Sequence, residues 1–225
     1  MKPVIVFDLV GTLLDLSAFD PLFERAFGDS KLRREWFSEA LKLAHATTAM
    51  NHYREFSKIT EAALKVVEER YQRRLDDAQR EEILRTFKTL PPFCDVQDSV
   101  VSLRNNGFRI VVLTNSKKQA AEEMLKHAGI LQHFDRVLSA DSVQRLKPAP
   151  EPYRMAAHEL NLEPESVLLV AAHSWDVAGA IRAGCQACFL RRPEQILDEI
   201  TPTPTLIASD LQELSTRVLQ LQTTA

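Results

Sequence analysis

The stretch Val4-Ile5-Val6-Phe7-Asp8-Leu9-Val10-Gly11-Thr12 constrains this chain more than any other. Four apolar residues, three of them β-branched, run into a carboxylate. A continuous apolar run beside a glycine reads as a strand buried on both faces, and such strands belong to parallel sheets flanked by helices. Open parallel sheets carry their chemistry just beyond the carboxyl ends of their strands, which is where Asp8 stands. A carboxylate there is costly to bury unless it is hydrogen-bonded or used. Gly11 lets the chain turn sharply, and Thr12 can return its hydroxyl to Asp8. The plainer role for Asp8 is to cap that turn; three later segments favour chemistry.

With 225 residues the chain has room for one domain carrying an insertion, or for two small ones. A net charge of -3 gives no reason to expect nucleic acid or an anionic membrane as partner. The apolar start is short and broken by Asp8, so no signal peptide is expected, and no apolar run is long enough to span a bilayer. Three cysteines do not make a disulfide framework. Cys185 and Cys188 form a C-x-x-C without the second ligand pair of a zinc site, and two incidental thiols in a reducing cytoplasm is the reading adopted.

From Ala18 to Leu90 only helical periodicity is visible. Trp36, Ala40, Leu43 and Thr47 follow one helix edge, with Phe37, Leu41 and Ala44 beside them. Ile59, Ala63, Val66 and Val67 predict a second helix started by Ser57 or Thr60, and Asp76 or Asp77 can cap a third. Pro91-Pro92 closes this helical insertion. Helix and strand then alternate. Strands are expected at Phe108–Leu113, Asp135–Leu138, Val167–Val170 and Ala187–Leu190, with a short last one at Leu206-Ile207 before a final helix. The expected fold class is therefore α/β: a doubly wound parallel sheet with an inserted helical cap. The core would comprise residues 1–15 and 91–225, and the cap residues 16–90.

Several strands end in polar clusters: Asp8 with Thr12, Thr114 with Asn115, and His173 with Asp176. Lys147 precedes the stiff Pro148-Ala149-Pro150, which argues for a positioned lysine over a solvated one. Parallel strands would bring these groups to one sheet edge. Asp8 is then a candidate nucleophile or base, and Lys147 can hold it ionised. Thr114 and Asn115 can donate to a substrate carboxylate or a leaving group, and Asp176 can orient or activate a water.

With these residues in place, the sequence resembles the haloacid dehalogenase superfamily. The matching segments are Phe7-Asp8-Leu9-Val10-Gly11-Thr12, Thr114-Asn115-Ser116, Lys147-Pro148 and Val170 to Asp176, in that order, with the helical cap after the first strand. Most members are magnesium-dependent phosphatases with a second Asp two residues after the nucleophile and another in the last motif. Here those positions are Val10 and Ala172, which cannot supply the oxygen ligands that Mg²⁺ requires. Trp175-Asp176 and Tyr153 match the metal-free branch, the 2-haloacid dehalogenases.

That resemblance implies a hydrolase needing no metal or other cofactor and acting on a small molecule. Asp8 would attack the halogen-bearing carbon, and water aided by Asp176 and Lys147 would hydrolyse the aspartyl ester. Thr114 and the backbone N–H groups of Leu9 and Val10 would hold the substrate carboxylate, with Tyr153 and Trp175 nearby. The branch has an Arg after its cap Trp, an Asn in its last motif and a Ser two residues before that Asn. This chain has Phe37, His173 and Ala171. Asn115 and His173, the latter charged by Asp176, are expected to receive the halide in the arginine's place. Core packing for Phe37 and a structural role for His173 are the plainer alternatives. A phosphatase using the same aspartyl chemistry and a non-catalytic small-molecule binder stand as rival readings. The apolar cap would suit a homodimer.

Overall fold

The structure is a computed structural model that describes residues 4–223. The first three and last two residues of the expected core segments therefore lie outside the described residues. Six strands form one parallel sheet: β1 Val4–Phe7, β2 Ile110–Thr114, β3 Arg136–Ser139, β4 Val167–Ala171, β5 Gln186–Leu190 and β6 Leu206–Ala208. Their order is β3-β2-β1-β4-β5-β6. The chain thus builds outward from β1 on one side, returns, and builds outward from β4 on the other. The reversal leaves a crevice at the carboxyl ends of β1 and β4, where doubly wound folds place ligands.

Burial on both faces explains the unbroken apolar strands. Ile5 and Phe7 of β1 join Ile110, Val112, Leu168 and Val170 on one face of the sheet. That face packs against α5 (Val96–Asn105), α6 (Lys118–His127) and α9 (Leu211–Thr223). Val4 and Val6 join Val111, Leu113 and Leu169 on the other, against α7 (Pro150–Glu159) and α8 (Ser174–Arg182). Alternate residues of one strand feed two separate cores, so no polar face survives in the sequence.

Between β1 and α5 the described residues contain helices and no strand. These are α1 (Asp20–Phe27), α2 (Leu32–Ala49), α3 (Phe56–Arg70) and α4 (Asp77–Thr86), with short 3-10 turns beside them. Trp36 is the hub: it packs on Phe19, Phe23 and Phe87, and its indole N–H donates to Thr60 O at 2.9 Å. The two ends of the insertion meet, since Asp15 N donates to Pro91 O at 2.8 Å and Phe93 N to Leu13 O at 3.0 Å.

Element boundaries moved by a residue or two. Asp76 caps α4 as expected, with Gln79 completing a reciprocal capping box. Helix α3 starts at Phe56, before both expected caps, and Thr60 instead donates its hydroxyl to Ser57 O at 2.9 Å within the helix. Strands β2, β3 and β4 each run one residue further than the apolar runs, because the parallel ladder continues through Thr114↔Ser139 and Ala171↔Phe189. Backbone pairing does not stop where side chains turn polar.

Candidate active site

Asp8 follows β1 directly, and its turn is closed by three amides. Thr12, Leu13 and Leu14 N–H all donate to Leu9 O, at 3.3, 2.9 and 3.0 Å. Gly11 sits at φ +81° in this turn, and a Cβ there would lie 2.9 Å from His173 Cε1. Both the backbone angle and the close imidazole require glycine. From the turn Thr12 sends its hydroxyl to Asp8 Oδ2 at 2.7 Å and accepts Ala172 N–H at 3.0 Å, joining the ends of β1 and β4.

Lys147 reaches into the same point. Its Nζ lies 2.8 Å from Asp8 Oδ1, 2.6 Å from Asp176 Oδ2 and 3.0 Å from Leu113 O, which accounts for all three of its donors. Tyr153 donates to Asp176 Oδ1 at 2.6 Å, so both oxygens of Asp176 are engaged. Lys147 and Asp176 have no exposed surface at all. Asn115 holds the lysine's backbone: its Oδ1 accepts Lys147 N–H at 2.8 Å and its Nδ2 donates to Lys147 O at 3.4 Å. Ser139 in turn fixes the Asn115 loop by donating to Ser116 O at 2.6 Å.

The electrostatics follow from this packing. Burial by itself would raise the pKa of Asp8, but the Lys147 charge and hydrogen bonds from His173 and Lys147 outweigh it, and the carboxyl is held well below its ordinary range. Burial likewise works against charge on Lys147, yet Asp176 and Asp8 together raise its pKa. For Asp176 burial dominates, Lys147 offsets it only in part, and the pKa is raised. Asp8 is thus ionised, while the carboxyl of Asp176 beneath it binds protons more readily than usual. Tyr153 is pushed well above its ordinary value by burial and by Asp176, and stays a donor.

Above Asp8 lies a cavity of about 20 Å³, room for about one water. Asp8, Val10, Phe37, Thr114, Asn115, His173 and Trp175 line it. Phe37 stands 6.2 Å from the His173 ring and 6.5 Å from Phe56, centroid to centroid. His173 stacks on Trp175 at 5.3 Å. Thr114 Oγ1 accepts Ser116 N–H at 3.1 Å, which leaves its hydroxyl hydrogen for another acceptor.

Four expectations need correction. Asp176, expected to orient or activate a water, is fully buried outside the cavity wall, with one oxygen taken by Lys147 and the other by Tyr153. Tyr153, grouped with substrate-binding residues, is not in the cavity wall; it stands beneath Asp176, because α7 and α8 pack together on the same face of the sheet. His173 was paired with Asp176, but its Nδ1 faces Asp8 Oδ2 at 3.3 Å, while Asp176 is sealed under Lys147. Asn115, expected to donate to substrate, has its amide committed to the Lys147 backbone, with one N–H to spare.

Leu41, Phe56 and Ser116 line the cavity and were not foreseen as site residues. Ser116 lay inside the quoted Thr-Asn-Ser cluster; Leu41 and Phe56 look like any helix-core residue, and only the folding of the helices over β1 exposes their second role. Arg192 was also missed. It donates to Thr12 O at 2.9 Å and to Asp95 Oδ2 at 2.9 Å, pinning the Asp8 turn from outside. A partner 180 residues away leaves no mark on a sequence pattern.

A family model described as haloacid dehalogenase-like hydrolase matches residues 2–184. The chain belongs to the haloacid dehalogenase-like hydrolases. Among relatives of this family, the (S)-2-haloacid dehalogenase of Pseudomonas sp. (strain YL) is 31% identical over 89% of this chain and 87% of its own length. Haloacetate dehalogenase H-2 of Moraxella sp. (strain B) is 28% identical over 89% of this chain and 90% of its own. A crystal structure of an L-2-haloacid dehalogenase superimposes with a TM-score of 0.92, at 26% identity, covering 96% of this chain and 98% of that one.

Proposed function

We propose that the protein is a dehalogenase that hydrolyses the carbon–halogen bond of short 2-haloacids without a metal. The observation that carries this reading is the ionised Asp8, held by Lys147 and Thr12 beneath a small cavity walled by Val10, Phe37 and Trp175. The names of the relatives point to the same substrate class.

Asp8 attacks the carbon bearing the halogen in line; the C–O bond forms as the carbon–halogen bond breaks, and halide leaves. Lys147 keeps the carboxylate anionic until attack. Water then adds to Asp8 Cγ, the acyl–oxygen bond breaks, one water proton passes to the departing alkoxide to give the 2-hydroxy acid, and the regenerated Asp8 carboxyl releases the other to solvent. Lys147 and Thr12 both hydrogen-bond this carboxyl and are placed to support charge on its oxygens during hydrolysis. Thr114 and the amides of Leu9 and Val10 hold the substrate carboxylate, and His173 with Asn115 receives the halide. Asp176, with both oxygens engaged, sets the position and charge of Lys147. Val10 offers a hydrocarbon wall where a metal carboxylate would stand, and Ala172 contributes a backbone N–H to Thr12 rather than a ligand.

Residues 16–90 are read as the cap domain over a core of 1–15 and 91–225, with the paired crossings at Asp15–Pro91 and Leu13–Phe93 as the boundary. The free thiols of Cys185 and Cys188, both buried, suit the cytoplasm. A homodimer completes the proposal; sedimentation tests it. The decisive assay measures halide release from 2-chloropropanoate with EDTA present, beside phosphate release from a generic phosphoester with Mg²⁺. Halide release in EDTA is expected; phosphate release alone would replace this reading.

A further inference from the structure

The cavity above Asp8 shares two of its wall residues, Phe56 and Ser116, with a second and much larger space. This groove, about 310 Å³, runs between α3, the end of α4 and α6. Small-molecule subsites begin at about this size, whereas the cavity at Asp8 holds little more than a water. The groove wall is largely hydrocarbon: Leu84, Phe87, Ala120 and Met124 face it together with Phe56. Three lysines also border it, but each is paired, Lys58 with Glu61 at 3.2 Å, Lys88 with Glu123 at 3.0 Å and Lys117 with Glu55 at 2.7 Å. The groove therefore offers apolar surface and little net charge, and a second carboxylate or phosphate is a poor match for it.

We propose that this groove is an extension of the active site that takes the alkyl chain of 2-haloacids longer than three carbons, with Phe56 and Ser116 as the partition the chain crosses. The proposal rests on the dehalogenase reading and specifies its substrate class. Phe56 is the first residue of α3, a position held by no upstream helical turn, and it neighbours Glu55. The Glu55–Lys117 and Lys88–Glu123 pairs join the helical insertion to α6 on either side of the groove, and all four side chains are exposed. Exposed pairs of this kind resist separation weakly. The partition can thus move without breaking the buried Asp8–Lys147–Asp176 cluster. With the acid's carboxylate and halogen-bearing carbon at Asp8, the remaining chain would leave water for hydrocarbon, at up to about fourfold in affinity per methylene.

Ala120 lines the groove but not the cavity, so Ala120→Leu and Ala120→Phe fill the extension and leave the reacting centre intact. The experiment measures kcat/KM for 2-bromopropanoate and 2-bromohexanoate, and calorimetric Kd for propanoate and hexanoate, in the unaltered protein and both variants. The unaltered protein is expected to prefer the six-carbon acid, by at most about 60-fold for three methylenes. Both variants should cut that preference about tenfold while 2-bromopropanoate turnover stays within about twofold. An unchanged preference, or an equal loss on both acids, overturns the proposal. If no bromide is released from either acid, the dehalogenase reading falls, and calorimetry decides the groove: a hexanoate preference erased by the fillings supports an alkyl site, and equal affinities overturn it.

Discussion

His173 Nδ1 lies 3.3 Å from Asp8 Oδ2, with its ring buried between Phe37 and Trp175. Among the described residues that line the cavity, His173 brings the one imidazole, and it faces the Asp8 carboxylate. Its other ring nitrogen, Nε2, is buried without a hydrogen-bond partner.

If the unpaired Nε2 is the nitrogen that receives the departing halide, His173→Asn slows formation of the aspartyl ester. A donor aimed at developing negative charge in a closed site is worth about 3 kcal/mol, or about 100-fold in rate. Rapid-quench mass spectrometry of the Asp8 peptide reads the step directly. Adding Phe37→Arg should restore part of the loss. Esterification at the normal rate in His173→Asn would make His173 structural.

Asp8 should prove to be the nucleophile. In a single turnover in ¹⁸O-water with enzyme in excess, label is expected in the peptide that contains Asp8. Asp8→Asn should reduce kcat by at least about 10³-fold, since its amide cannot be alkylated. Label confined to the hydroxy acid would mean that water attacks the substrate directly.

Lys147→Met leaves two buried carboxylates without their cation. Breaking a buried pair from one side costs about 3–5 kcal/mol, and urea denaturation at pH 7 should show a loss of that order. The pH dependence carries its own sign. In the unaltered protein the depressed Asp8 pKa contributes stability above the ordinary carboxylate value of 3.8 that is lost as pH falls toward the folded value. Without Lys147, burial and mutual repulsion raise both carboxyls, so each binds protons more tightly folded than unfolded. The variant should therefore regain stability on acidification from pH 7 to 5. A Tm that falls over that interval would show that Lys147 does not neutralise the cluster.

Gly179 is the tightest approach beneath the site. A Cβ there would lie 2.6 Å from the Tyr153 hydroxyl oxygen, 2.7 Å from Pro148 Cβ and 2.8 Å from Pro148 O. Gly179→Ala must push α8 from the Lys147-Pro148 turn, at about 1–3 kcal/mol. Because Asp176 rides on α8, kcat should fall as well, with KM nearly unchanged. Wild-type stability and kcat together would show that the contact yields easily.

The order of elements and the residues that meet at Asp8 could be read from the chain alone. An apolar strand such as Val4–Phe7 must be covered on both faces whatever its neighbours are, and parallel connections bring every strand's carboxyl end to one edge. Asp8, Thr12, Thr114, Lys147 and His173 were therefore predictable as a set from where they stand relative to strands. Their pairing was not. Whether Lys147 neutralises one carboxylate or two, whether His173 faces Asp8 or Asp176, and whether Asn115 serves substrate or backbone turn on ångström distances set by how α7 and α8 pack. Gly179 and Arg192 show the same limit, since contacts across tens to hundreds of residues have no local signature. Leu41 and Phe56 mark it most clearly: packed hydrocarbon has one appearance in a sequence, and only the fold of α2 and α3 over the sheet edge makes these two, one half-buried and one buried, the ceiling of the site.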